Sequence, residues 1–421
     1  MTEKYKYWRI FIMNKVTVID SIMGTGKTSF AIQRMNETHE LQKFIYVTPY
    51  LKEVERIKKS VKSRTLHEPV KRGRSTKGAH FNSLINHGHD IVTTHDLFNR
   101  IDESTIKLLE EQNYSLIIDE AIQFVEVADL KKEDFNRLKN NGDIKIDEKT
   151  KLVIWTGEKD TGTRFSDIYA LTQSKSLYYV RDRFLVWTFP HNVLQLFKDV
   201  TLMTYYFKGT QTKAYFDLHE IEYELKSVIN DNDKYKLIDY DNTSENREHF
   251  YNLMNIDDKE SRHKIDLTLS YTSILELQKG YEAGNKEDIK TVREIEKNVR
   301  NFLDSREKGT GAYWSTFKKG FEFIKPKGYS QQKKQISINE RATNEYSDGG
   351  AMAYICNKFM NVEELAFFQD SDIKVNQDAY AVSELLQWIF RSRIRNGEEV
   401  ALYIPSKRMR DLLEKWANYE I

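Results

Sequence analysis

The sequence predicts an α/β protein of two doubly wound parallel-sheet units in tandem, and three features predict it. A β-branched run, Val16-Thr17-Val18-Ile19-Asp20, leads into a glycine turn that closes on Gly26-Lys27-Thr28. A second apolar run, Leu116-Ile117-Ile118, ends in the adjacent carboxylates Asp119 and Glu120. A later α/β stretch carries Gln387, Arg391, Arg393 and Arg395. From 16 to 207, apolar runs of strand length alternate with helical stretches, the pattern of a parallel sheet built through crossover helices.

The first turn has the chemistry of a phosphate cradle. Gly24 and Gly26 let the backbone curl so that successive N–H groups point inward at phosphate oxygens. A helix starting near Gly26 adds the positive end of its dipole. Lys27 can reach the β- and γ-phosphates, and the Thr28 hydroxyl can ligate Mg²⁺. Ser21 stands where the strict pattern has glycine, so the match is to the looser form ending in GxGKT. A bland strand–turn–helix corner has no call for Lys-Thr directly after the second glycine.

Beyond the cradle, 29–35 continues the helix, and Phe44-Ile45-Tyr46-Val47-Thr48-Pro49 reads as a buried strand ending in a turn. A basic helix follows over 51–60, then an exposed loop over 63–77. Ile91-Val92-Thr93-Thr94-His95 is the next strand end. Polar groups at such carboxyl ends are where an α/β sheet presents a ligand surface. At the end of 114–118, Asp119 is placed to hold Mg²⁺ through water, and Glu120 to orient and deprotonate an attacking water. The apolar runs 152–155, 184–187 and 200–207 are read as further strands of the same sheet.

Composition shifts near 215–227, which gives an N-terminal extension over 1–12, a first domain over 13–218 and a second over 219–421, with a helical insertion near 285–330. The charged stretch 285–308, with Glu and Lys or Arg at i,i+4, reads as a solvated helix. Aromatics and lysines interleave over 313–327, which suits stacking along a single strand and equally an amphipathic core element. A strand over 335–339 leads into Arg341-Ala342-Thr343-Asn344, followed by a helix around 351–359. As one helix, 383–395 puts Gln387, Arg391 and Arg395 on one face, and Asn396-Gly397 stops it.

With 421 residues the chain has room for two full cores. Lys plus Arg (65) nearly cancels Asp plus Glu (64), so any basic surface has to be local. The lone Cys356 excludes an internal disulfide and fits a reducing cytoplasm. No apolar run reaches membrane-spanning length, and no secretory signal is visible.

In this order the motifs resemble those of the superfamily 2 helicases, the DEAD/H-like group with two RecA-like domains, over nearly the whole length. Residues 21–28 resemble motif I, Thr48-Pro49 motif Ia, and 92–95 the later strand end that contacts nucleic acid. Asp119-Glu120-Ala121-Ile122 resembles the DExx box, the strand ending at Thr204 stands at motif III, 341–344 at motif V, and 387–395 resembles motif VI. The runs RATNEY, LLQWIFRSRIR and YIPSKRMRDLLEKW are similar to predicted DNA helicases of phages and prophages of low-GC Gram-positive bacteria. Phe390 replaces the motif VI glycine, its second arginine is displaced to Arg393 or Arg395, and neither a Ser-Ala-Thr motif III nor an adenine-reading Gln motif is recognisable.

The resemblance implies an ATP- and Mg²⁺-dependent helicase or translocase of the host cytoplasm. Its expected partners are nucleic acid, single-stranded DNA foremost, and proteins of phage replication or recombination. It assigns catalysis to Lys27, Glu120 and Arg391, the last as an arginine finger opposite Lys27. It assigns nucleotide contacts to Gly24, Thr25, Gly26, Lys27, Thr28, Ser29, Gln387, Arg391 and Arg395, and the metal to Thr28 and Asp119. Nucleic-acid contacts fall to Thr48, Pro49, Thr94, His95, Arg341, Thr343 and Asn344, with strong salt dependence. Two other classes share part of the pattern: a viral DNA-packaging ATPase, and a nucleotide-gated nucleic-acid-binding protein that does not unwind. An intact second unit carrying Gln387 and Arg391 in the same chain separates the motor from the packaging ATPase.

Overall fold

The computed structural model describes residues 16–71, 73, 75–158, 162–263, 265, 267–307, 311–338 and 345–421. The expected extension over 1–12 and the segment Arg341-Ala342-Thr343-Asn344 lie outside the described residues.

The strands of the N-terminal half are Val16–Asp20 (β1), Phe44–Thr48 (β2), Leu66–His67 (β3), Asp90–Thr94 (β4) and Ser115–Asp119 (β5). Val125–Ala128 (β6), Ile144–Ile146 (β7), Val153–Trp155 (β8), Leu177–Val180 (β9) and Phe184–Thr188 (β10) come next, then Asp199–Thr204 (β11), Tyr223–Asp231 (β12) and Lys234–Asp239 (β13). One eight-stranded sheet runs β13-β12-β1-β11-β5-β2-β4-β3 and is parallel except for the outer β13. β2 and β5 are buried along their whole length, as near-continuous apolar strands in a parallel sheet must be. Only β11 separates β1 from β5, so their carboxyl ends lie two strand spacings apart, about 10 Å.

The second sheet is Met254–Ile256 (β14), Ala312–Ser315 (β15), Ala351–Tyr354 (β16) and Val400–Tyr403 (β17), all parallel in the order β14-β17-β16-β15. The tandem parallel-sheet, RecA-like class expected from the sequence is therefore present, with five differences in detail.

First, β6 to β10 do not join the parallel sheet. They form two small antiparallel sheets, β6-β10-β9 and β7-β8. The three residues between β9 and β10 cannot make a parallel crossover, and Arg181 and Asp182 take φ near +50° to close a hairpin. Second, the first sheet runs on through β12 and β13 to Asp239, past the expected boundary at 218/219. This hairpin closes on Asn232-Asp233, both at positive φ. Its surface is dressed with Lys226–Asp239 and Lys236–Asp231 pairs, so its composition resembles a linker.

Third, the stretch around 351–359 opens with β16, wholly buried, rather than with a helix. Ala and Met favour helices, but a short run buried on both faces is also what a central strand needs. Fourth, helix Lys286–Arg306 is no solvated rod: Val292, Ile295, Val299, Phe302 and Leu303 form a buried stripe in the second core. Fifth, 335–338 makes one bridge, Trp314 to Gln335, in place of a strand. For the start of 313–327 the core alternative holds: Tyr313 and Trp314 are buried in β15.

The antiparallel insertion β6-β10-β9, the first unit and helix Val362–Asp370 of the second unit meet at Glu364. Its carboxylate accepts from Gln211 Nε2 (2.8 Å) and Gln123 Nε2 (3.2 Å), while Gln211 also clasps the backbone of Val125. Burial pushes Glu364 up to about 7, against the pull of Gln211. Between its ordinary value and about pH 7, the folded chain holds a proton that the unfolded chain has released, so stability falls as pH rises through that window. Glu364→Gln is expected to flatten this fall by at most about 1.4 kcal/mol per pH unit. Urea unfolding of both proteins between pH 5 and pH 8 measures the difference.

Candidate functional site

β1 ends at Asp20, and the turn after it closes on helix Lys27–Glu37. Gly24 and Gly26 take φ of 90° and 100°, conformations that only glycine adopts without strain. Space is closed at Gly26 as well, since a Cβ there would sit 2.1 Å from the Tyr235 ring of β13. The helix has no side-chain cap and no acidic residue in its first turn. Its leading N–H groups and positive dipole end therefore face the turn without a protein anion from that turn of helix.

Lys27 is buried, and its ammonium donates to the carbonyl oxygens of Ser21 (2.5 Å) and Ile22 (3.2 Å). Burial lowers its pKa, while Glu120, Asp20 and Asp119 pull it back up. The Thr25 hydroxyl donates to Ile22 O at 2.9 Å. Ser29 lies half-buried on the following turn of helix.

β5 delivers Asp119 beside this turn. The Thr28 hydroxyl lies 3.4 Å from Asp119 Oδ2, and the Tyr46 hydroxyl, from neighbouring β2, donates to the same oxygen at 2.6 Å. Burial, then the charge of Glu120, pushes Asp119 up to about 6. Glu120 takes φ 65°, a left-handed conformation costing a side-chain-bearing residue on the order of 1–2 kcal/mol. His95, at the end of β4, places Nε2 2.9 Å from the Asp119 carbonyl oxygen, so that nitrogen carries the proton and donates.

The second unit contributes differently from the sequence expectation. Helix Gln377–Ile389 stops before the arginines, and Ser392 is extended and caps a short turn over Arg393–Asn396 by accepting from Ile394 N (3.3 Å). Gln387, Arg391 and Arg395 consequently do not share a helical face. Gln387 lines a cleft described below. Arg391 is buried and donates to Ser337 O at 3.4 Å within the second unit. Arg393 pairs with Glu307 at 2.9 Å.

Arg395 is turned to the first unit. Its charged neighbours are Glu120, Arg56 and Glu53, and its carbonyl oxygen lies 3.5 Å from where a Cβ on Gly24 would be. The expectation that Arg391 faces the lysine loop is thus corrected: the helix ends at Ile389, Arg391 bonds within the second unit, and the Arg395 backbone approaches the loop instead.

The expected nucleic-acid residues divide. Pro49 and His95 line a cleft of about 1600 Å³ walled by the carboxyl edge of the first sheet, the antiparallel insertion and the second unit. Thr48 is fully buried, its hydroxyl without a hydrogen-bond partner. The Thr94 hydroxyl caps the helix His95–Asn99 by accepting from Leu97 N. Arg341, Thr343 and Asn344 lie outside the described residues. Tyr46 and Tyr235 belong to the site without any motif to announce them; the one available signal was a polar-tipped tyrosine inside the otherwise apolar strand that neighbours β5.

Tyr46→Phe would strip a buried carboxylate of its shortest hydrogen bond. The expected loss is about 1–3 kcal/mol of stability at pH 8, where Asp119 is ionised, and less at pH 5, where it is protonated. Urea unfolding at the two pH values reads both.

Residues 248–417 match the YonV C-terminal Rossmann-like domain, 125–187 the YonV middle domain, and 7–141 the type III restriction enzyme res subunit. The SPbeta prophage-derived uncharacterized protein YonV of Bacillus subtilis (strain 168) is 36% identical, the alignment covering 96% of this chain and 99% of that protein. Among solved structures, an XPD helicase aligns with 97% of this chain and 95% of its own at TM-score 0.46 and 12% identity. The DUF1998 helicase MrfA, bound to DNA and AMPPNP, aligns with 97% of this chain and 48% of its own at TM-score 0.34 and 11% identity.

Proposed function

We propose that this chain, which belongs to the YonV family of prophage proteins and carries a superfamily 2 helicase-type first unit, is an ATP-hydrolysing motor that moves along nucleic acid. One observation supports the reading above the others: the Arg395 carbonyl oxygen of the second unit lies 3.5 Å from where a Cβ on Gly24 of the lysine turn would be, and the charge of Glu120 in the first unit acts on its guanidinium. A site divided in this way changes when the units close or part, which is how hydrolysis becomes motion.

In this reading the N–H groups of 24–28 hold the phosphates of ATP, and Lys27 exchanges the Ser21 and Ile22 carbonyls for phosphate oxygens. The donor set fits Mg²⁺: a hydroxyl and a carboxylate, both hard oxygens, with the remaining positions left to phosphate and water. Thr28 and Asp119 would hold the ion, which would supply positive charge against the phosphates. Tyr46 fixes the Asp119 carboxylate.

Glu120 takes the proton of the water that attacks the γ-phosphorus as the bond to the ADP oxygen breaks. Arg395 stabilises the charge on the transferring phosphoryl group, the role first expected of Arg391. His95 touches the carbonyl next to Glu120 and also lines the cleft, so it is a direct side-chain link between nucleic acid and the hydrolytic site. DNA in prophage replication or recombination is the substrate this reading favours. A finger supplied within one chain speaks against the packaging ATPase.

ATP hydrolysis measured with single-stranded DNA and RNA side by side tests the proposal. Stimulation by a polynucleotide is expected, abolished by Lys27→Ala or Glu120→Gln. Arg395→Ala should lower kcat by about 10³-fold or more, with a small change in KM for ATP. Hydrolysis indifferent to every polynucleotide would overturn the motor.

A further inference from the structure

We propose that the cleft holds a single strand chiefly by its bases, with Tyr271 and Phe359 as stacking faces; this rests on the nucleic-acid reading above. The charge of the cleft is the starting point. Its described lining carries seven carboxylates, among them Asp96, Glu126 and Glu384, against five Lys or Arg. Three of those five are already paired: Arg100 with Asp96, Arg181 with Asp370, and Lys358 with Glu384. Affinity for a polyanion from counterion release needs an excess of cations facing phosphates, and the described residues of these walls do not supply one.

What the walls do supply is aromatic surface. From Ala351 to Met360, along β16 and beyond its carboxyl end, every residue is buried except Phe359, which is 45% exposed. One face of its ring is covered by the Arg408 guanidinium, 4.2 Å from the centroid. That guanidinium is fixed by Asn357, by the Lys358 and Gln377 carbonyls and by Asp378, so the platform is rigid. On the same wall, where the Asn357 N–H donates to Leu269 O at 2.7 Å, Tyr271, 50% exposed, stands on the first turn of helix Tyr271–Glu282 with its ring edge-on to Phe317 at 5.5 Å. Val362, 75% exposed, extends the apolar surface beside Phe359.

Exposed apolar residues gathered along one cleft mark a binding surface more than the same residues scattered singly would. A flat ring open on one side, backed by a guanidinium or a second ring, fits the π-face of an unpaired base. Every base offers that face, so such a site takes single strands with little regard to sequence, and a paired duplex cannot present its bases to it.

The test compares the full chain's affinity for a labelled oligo-dT with that for an abasic deoxyribose-phosphate oligomer of equal length, by fluorescence anisotropy. The wild type should bind oligo-dT at least tenfold more tightly than the abasic strand. Tyr271→Ala and Phe359→Ala should each weaken oligo-dT binding about tenfold and leave the abasic affinity unchanged, while Tyr271→Phe and Phe359→Tyr retain wild-type affinity. The salt dependence of oligo-dT binding should be shallow, that of two or three phosphates at most. Equal affinity for the two oligomers, or alanine variants that still bind oligo-dT normally, would overturn the stacking site and leave the motor standing. Failure of both oligomers to bind would sink the nucleic-acid reading itself.

Discussion

A caged cation at the junction of the two units sets the geometry of the gap. Arg247 is fully buried, paired with Glu245 at 2.7 Å, and its guanidinium sits near the rings of Tyr206, Trp416 and Tyr419. Glu245 also accepts from Tyr205, whose hydroxyl in turn accepts from the Trp416 indole at 2.8 Å. Removing one partner of such a buried pair costs about 3–5 kcal/mol, because a charge is stranded away from water. Tyr205 and Tyr206 immediately follow β11, and Asp20 at the end of β1 accepts both the Tyr206 and the Phe207 N–H. The strand between β1 and β5 is thereby pinned to the second unit, and the lysine turn with it.

This pinning explains why the local strand-and-turn geometry could be read from the sequence and the mutual placement of the segments could not. Gly24, Gly26, Lys27, Thr28, Asp119 and Glu120 sit within single strand-and-turn segments, where residue type and spacing dictate local geometry. Strand partners are a different matter. The apolar runs at β8 and β10 look like parallel strands until their antiparallel partners β7 and β9 are known, and β12 and β13 look like linker because one edge of a sheet wears surface residues. Arg391 and Arg395 show the limit most sharply: four residues of helix would have aligned them, and one extended serine sends them to different places.

The carboxyl edge of the first sheet thus serves two surfaces with one set of strands. β1 and β5 end at the lysine turn and the carboxylate pair, while β2 and β4 end at the cleft. β2 sits between β5 and β4, and its Tyr46 reaches toward one surface while Pro49 lines the other. Coupling across a distance of one or two strands needs no long relay: a shift in His95 is felt at the carbonyl of Asp119, beside a Glu120 held in a conformation it does not favour on its own.

The hairpin β12-β13 closes the first sheet on its open side with a strand that alternates lysine with apolar residues, and its cross-strand ion pairs lie close to exposed Ile229 and Ile238. An outer strand of that kind is a poor template. A second copy laying its own edge alongside would bring lysine against lysine and break pairs that water and aspartate already satisfy. The sheet is therefore terminated chemically as well as geometrically, and self-association by strand addition is discouraged on the side that carries the ring closing over Gly26.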